Sequence, residues 1–267
     1  SGKSLLALAL GICAENGYDF FGECEPTHTL YLDWETDKAE MDRRASLLTA
    51  GIADIYETKR EEIKLPVYMR MYLPLIDSVD NLIETAYMHS VKFIIIDSVA
   101  PALADDLSSP AAATKFFSGI RKINADGITT LLVTHVSKES KKAGTGSPFG
   151  SVFFENFPRL TWELKSDYDE NKGRFSFGIF CRKSNVGRLE PKGVALTFSQ
   201  GGIKMEYTEP DDNTSDKHTL KEMILNLIKD KGMTPREIAS TLQATPQTVW
   251  VVLSQLKKQG LVTNSGG

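Results

Sequence analysis

Ser1-Gly2-Lys3-Ser4, running directly into Leu5-Leu6-Ala7-Leu8-Ala9-Leu10, is the stretch that decides the fold. A Gly-Lys-Ser triplet opening an apolar helix is the closing part of a phosphate-binding loop. The unpaired N–H groups of the first helical turn and the helix dipole attract phosphate oxygens there. Gly2 lets the backbone come close, Lys3 reaches the terminal phosphates, and the Ser4 hydroxyl is placed to ligate Mg²⁺. The full pattern G-x-x-x-x-G-K-[ST] carries an earlier glycine and follows a strand. The natural chain is therefore expected to extend N-terminally by a short apolar strand and a Gly-rich turn.

Downstream, two apolar runs end in carboxylates. Lys92-Phe93-Ile94-Ile95-Ile96-Asp97-Ser98 is β-branched and continuous, as a strand buried on both faces must be. Thr29-Leu30-Tyr31-Leu32-Asp33 is a second such strand and leads into Trp34-Glu35-Thr36. Parallel α/β sheets bind ligands at the carboxyl ends of their strands. Asp97 is thus placed to accept from Mg²⁺-bound water or from Ser4, and Glu35 to polarise an attacking water, with Asp33 a competitor for either role.

Between and after these strands the periodicity switches repeatedly. Helical spacing is expected over residues 4–15, stopped by Asn16-Gly17, and over 38–49, ended by Gly51. Further helices are expected over 77–90 and 111–124, with a short strand between 67 and 75 and another over 129–134 ending at His135. This alternation is the signature of a parallel sheet with helices on its faces. His135, at a strand end, reads either as a sensor beside the γ-phosphate or as a structural histidine.

The composition fits a globular protein: 41% apolar, 25% charged, net charge −4 over 267 residues. That balance excludes a protein coated in nucleic acid, so any contact with DNA needs local basic patches. Cys13, Cys24 and Cys181 are widely spaced with no CxxC pair, against a disulfide framework or zinc site. No run approaches the roughly 18 apolar residues of a membrane span, and a cytoplasmic location with no membrane partner is expected.

After His135 the run 137–148 turns to Ser, Lys and Gly and reads as a loop, in which Lys138, Lys141 and Lys142 form either a solvated surface or a phosphate-contacting finger. Residues 159–207 alternate short strands and turns and are expected to extend the sheet in antiparallel fashion. The cluster Arg182-Lys183-Ser184-Asn185 is either a charged hairpin turn or a cation that reaches a neighbouring subunit's nucleotide. An acidic, Pro-containing linker follows at 209–217, and the rest reads as a small module of three helices and a short strand, 218–267. Thr234 with Glu237 and Thr245 with Pro246 are helix-start signals. The module is locally basic, and Gln247, Thr248 and Lys258 lie off its buried stripe, as a winged helix-turn-helix facing a major groove would place them.

Taken in order, the Gly-Lys-Ser start, Leu30-Tyr31-Leu32-Asp33-Trp34-Glu35 with Arg43-Arg44 behind it, Ile94-Ile95-Ile96-Asp97-Ser98, Val133-Thr134-His135-Val136-Ser137-Lys138 and Lys183-Ser184-Asn185 form a pattern. It resembles the RecA-like ATPases of the plasmid RepA hexameric replicative helicase group over about residues 1–207, within an expected core domain of 1–208. The resemblance implies an α/β RecA-like P-loop NTPase core that binds ATP and Mg²⁺ through Gly2, Lys3, Ser4 and Asp97. It implies Glu35 as catalytic base, His135 as phosphate sensor, and Arg182 or Lys183 acting across the interface of a homo-oligomeric, hexameric ring. Single-stranded DNA would run past the 137–150 loop. The winged helix lies outside the minimal helicase core and would bind duplex DNA or a protein. The expected function is a ring-forming ATPase motor on single-stranded DNA in plasmid or phage replication. The alternative is a nucleotide-gated DNA-binding regulator or recombination mediator that does not translocate.

Overall fold

The structure, a computed structural model, describes residues 2–135, 153–187, 189–199, 201–210, 224–225, 227–228, 232–242, 244–258 and 261–263. Contacts divide the chain into two units, Ser1–Thr214 and Ser215–Gly267.

The first unit opens with helix α1 (Lys3–Asn16), closed by Gly17 in the left-handed region. It then alternates β1 (Thr29–Asp33), α2 (Lys38–Ile55), β2 (Val67–Arg70), α3 (Leu75–Met88), β3 (Phe93–Asp97), α4 (Val99–Leu103), α5 (Pro110–Ala125) and β4 (Thr129–Val133). The four strands form one parallel sheet in the order β2-β1-β3-β4. Asp33 pairs with Asp97, and Asp97 with Val133, so these strands end level with one another.

Alternation along the strands sorts the core into two halves. Leu30, Leu32, Ile94 and Ile96 face α3, α4 and α5, where Leu82, Phe116 and Ile120 pack on them. Tyr31 and Ile95 point the other way, into the layer of α1 and α2 with Ile12, Leu48 and Ile52.

A short helix α6 (Phe153–Asn156), not anticipated from the sequence, precedes the remaining strands. It is held by Phe154, whose ring lies 5.3 Å from that of Phe117. Strands β5 (Leu160–Asp169), β6 (Arg174–Ser184), β7 (Lys192–Ser199) and β8 (Gly202–Thr208) are antiparallel, as expected. They do not extend the parallel sheet, however, but form a second sheet in the order β5-β6-β7-β8. Its apolar side, Phe177, Val194, Leu196, Ile203 and Met205, closes over α1 and α2 in the same core half as Tyr31. Burial of these residues against the helix layer favours that placement.

Gly51 shows how close that contact is. The sequence reading ends α2 there, yet the helix continues to Ile55. A Cβ on Gly51 would stand 1.8 Å from the carbonyl oxygen of Ile203, so glycine is present for the approach of β8 and not as a helix stop.

In the second unit, helices α7 (Pro235–Thr241) and α8 (Pro246–Lys258) are described. Thr234 and Glu237 form the expected reciprocal capping box at the start of α7. Ile224, Ile238, Ala239, Val249 and Leu256 make the unit's core. Leu261, Val262 and Thr263 carry no strand, so the expected wing is not seen among the described residues. Among the described residues, no helix is long and apolar enough to cross a membrane.

Gly51→Ala is expected to destabilise the first unit by at least about 2 kcal/mol through the clash with Ile203. Urea unfolding measures this, and a change below the error of the extrapolation would contradict the packing described.

Candidate functional site

The carboxyl rim of the parallel sheet gathers groups that are remote in sequence. Gly2 precedes α1 with φ of 70°, a left-handed conformation that side chains disfavour, and Lys3 and Ser4 form the first turn behind it. A Cβ on Gly2 would also meet the ring of Phe177 at 2.5 Å, so the second sheet supports this turn directly.

Asp97, 5% exposed at the end of β3, faces that turn. Its Oδ2 accepts a hydrogen bond of 2.6 Å from the Tyr31 hydroxyl, which lies 3.4 Å from the Ser4 carbonyl oxygen. Its Oδ1 is buried and has no hydrogen-bond partner among the described residues. Burial drives the Asp97 carboxyl above the usual range. Hydrogen bonding from Tyr31 and Ser4 opposes this, and the charges of Glu35 and Asp33 add to it.

Asp33, its neighbour in register, is equally buried but fully engaged. Oδ1 accepts from the backbone N–H groups of Glu35 at 2.8 Å and Thr36 at 2.9 Å. Oδ2 accepts from the Thr36 hydroxyl and, at 3.4 Å, from Tyr68. Arg70 stands 3.6 Å away. Burial first, then the Asp33 charge, pushes the Tyr68 phenol up to about 12. Asp33 thus shapes the loop that presents Glu35. Glu35 is exposed and accepts through Oε1 from the Ser98 hydroxyl, which ties the end of β1 to the end of β3.

His135 is exposed two residues beyond Val133, the register partner of Asp97, and so stands at the same rim. Arg182 and Lys183 lie on β6 in the second sheet. The Arg182 Nε donates to Glu163 at 2.8 Å and its guanidinium stacks on Phe180. The Lys183 ammonium donates to the carbonyls of Glu155 at 3.1 Å and Asn156 at 2.6 Å, at the end of α6. Lys138, Lys141 and Lys142 lie outside the described residues. Gln247 and Thr248 are exposed near the start of α8, and Lys258 closes that helix.

Sequence reasoning missed Tyr31 as a site residue. The available signal was a phenol at the middle of a strand buried on both faces, where its hydroxyl needs a partner. The groups present fit a Mg²⁺-nucleotide. An unsatisfied buried carboxylate oxygen and a helix-start hydroxyl suit a hard cation that takes oxygen ligands. Among the described residues, no cluster of three or more His, Cys, Asp and Glu is poised for a metal.

A parallel sheet flanked by helices, with a Gly-Lys-Ser helix start facing a strand-end aspartate, fits the α/β core of a P-loop nucleotide-binding protein. A family model described as AAA domain matches residues 1–141 of the 267, and the chain belongs to that family. No curated protein matches it in sequence. Among solved structures it is similar to the crystal structure of the KaiC-like protein PH0186 from the hyperthermophilic archaeon Pyrococcus horikoshii OT3. The identity is 13% and the TM-score 0.51, over 77% of this chain and 84% of that one, a likeness of fold.

An acid whose folded pKa lies above its unfolded value holds its proton more tightly when folded. Ionised Asp97 therefore costs stability at neutral pH, and the cost fades as pH falls through its raised pKa. Asp97→Asn, which keeps an acceptor for Tyr31, is expected to raise the nucleotide-free thermal midpoint by about 2–4 °C. Calorimetry at pH 7 checks the sign, and a lowered midpoint would count against the unsatisfied carboxylate.

Proposed function

We propose that this chain is the ATPase core of a ring-forming motor of the plasmid RepA helicase type, acting on single-stranded DNA in plasmid or phage replication. The observation that carries the reading is the meeting of Ser4 with Asp97 at the rim where Ser98 anchors Glu35. Those are the positions at which phosphoryl transfer to water needs a cation clamp and a water-orienting carboxylate.

In this reading the N–H groups at the start of α1 and the Lys3 ammonium bind the triphosphate. Ser4 and Asp97 would hold Mg²⁺, whose chemistry there would be neutralisation of phosphate charge. Glu35, steadied by Ser98 on one oxygen, orients the attacking water and takes its proton. His135, at the same rim, would relay the state of the γ-phosphate into the chain that follows it. Lys138, Lys141 and Lys142 would contact the DNA backbone. Arg182 or Lys183 would act on the nucleotide of an adjacent subunit in a hexameric ring, once released from Glu163 or from the end of α6. The second unit is read as a winged helix that presents Gln247, Thr248 and Lys258 to duplex DNA or a protein.

One observation favours a second reading. Arg182 and Lys183 are both engaged inside the subunit, as suits a nucleotide-gated DNA-binding regulator or recombination mediator that does not translocate.

Single-stranded DNA is expected to stimulate ATP hydrolysis by the full-length protein. Lys3→Ala or Glu35→Gln should lower the rate at least about 100-fold, with ATP binding retained in the second. Hydrolysis unaffected by both changes would remove the assignment. Directional strand displacement on a forked substrate separates the motor from the regulator, which should lack it.

A further inference from the structure

The Tyr31 side chain is 2% exposed, and its ring packs in the core half that α1 and α2 share with the second sheet. Tyr31 pairs in register with Ile95 of β3, so alternation sets Asp97, two residues further on, diagonally across from it on the same face of the sheet. A tyrosine is long enough to span that diagonal. Its hydroxyl donates to Asp97 Oδ2 at 2.6 Å, within the range of a charge-assisted O–H···O⁻ bond. The same hydroxyl lies 3.4 Å from the Ser4 carbonyl oxygen. One phenol at the middle of β1 therefore touches both the end of β3 and the first turn of α1.

A phenol has a single proton to give, and the shorter contact, made to a carboxylate, claims it. The two oxygens of Asp97 are then unequal. Oδ2 is engaged, while Oδ1 is buried and has no hydrogen-bond partner among the described residues. An aspartate carboxylate turns easily about its last torsion, whose preferences are broad and two-fold. A donor carried on a buried, packed ring takes that freedom away.

We propose that Tyr31 is a positioning residue for Mg²⁺: its hydroxyl holds Oδ2 so that Oδ1 is the oxygen left for the ion or an ion-bound water. The inference rests on the reading of Ser4 and Asp97 as the cation site. Hydrogen bonds one step behind a ligating group fix its orientation, and their loss typically costs about ten- to hundredfold in metal affinity. Tyr31 is too enclosed to meet the nucleotide, so its influence passes through Asp97.

The test compares binding of a non-hydrolysable ATP analogue to the full-length protein in Mg²⁺ and in EDTA. Mg²⁺ is expected to tighten binding by the wild type. Tyr31→Phe keeps the ring and removes only the hydroxyl, and is expected to cut that enhancement by about tenfold and to raise the Mg²⁺ concentration for half-saturation by a similar factor. A purely structural role would weaken both titrations alike and leave their ratio where it was. In an Asp97→Asn background, adding Tyr31→Phe should lower the ratio no further, since the hydroxyl acts through Asp97. That background leaves no buried charge beside the missing hydroxyl, so it carries the test if Tyr31→Phe alone fails to fold. A ratio kept in Tyr31→Phe, or lowered further in the double variant, overturns the positioning role alone. Wild-type protein that binds the analogue equally in Mg²⁺ and EDTA overturns the cation site and the inference with it, and wild-type protein that binds none overturns the nucleotide reading as a whole.

Discussion

A carboxylate taken out of water at the end of β3 is the constraint around which the first unit is arranged. Burying an acid is costly unless its oxygens find donors. The parallel register of β1 with β3 sets two acids side by side, Asp33 and Asp97, and the fold treats them differently. Asp33 is surrounded by two backbone N–H groups, two hydroxyls and a guanidinium, which satisfy it and shape the β1 exit loop. Asp97 accepts from the Tyr31 phenol on Oδ2 and feels the Ser4 hydroxyl of the helix start, while its Oδ1 has no hydrogen-bond partner among the described residues. A folded chain keeps such a cost where something outside the protein repays it, and a cation with phosphate is the chemistry that fits.

Helix α2 links that rim to the rest of the unit. Its inner face lies between the two sheets, and Gly51 lets β8 come to backbone contact. The same contact brings Ile203 and Phe198 to the wall of a cavity that Ser4 also lines, with Glu40, Arg43 and Arg44 on the exposed end of the helix. Packing therefore decides which charged residues face that cavity. The second sheet takes part as well, since the Phe177 ring packs against Gly2 at the start of α1.

In the second unit, the apolar spacing of α8 buries Val249 and Leu256, and Trp250 and Val251 remain exposed beside Gln247 and Thr248. A helix whose outward face mixes a large aromatic with short polar groups is suited to a contact surface of some kind. This is the part of the chain in which local signals, the capping box above all, account for most of what is described.

By itself the sequence determined what depends on neighbours along the chain. The Gly-Lys-Ser helix start, the β-branched run ending at Asp97, the alternation of strand and helix to Val133 and the Thr234–Glu237 cap are written in periodicity and capping, which act over a few residues. The tertiary structure alone decided which surfaces meet. It placed β5 to β8 in a sheet of their own over α1 and α2, turned Gly51 from a helix stop into a contact point, and gave Tyr31 a task. It also separated Asp33 from Asp97 and paired Arg182 with Glu163. Two strand-end aspartates look alike in sequence because their difference lies in donors supplied by distant elements, and only packing brings those donors near or keeps them away.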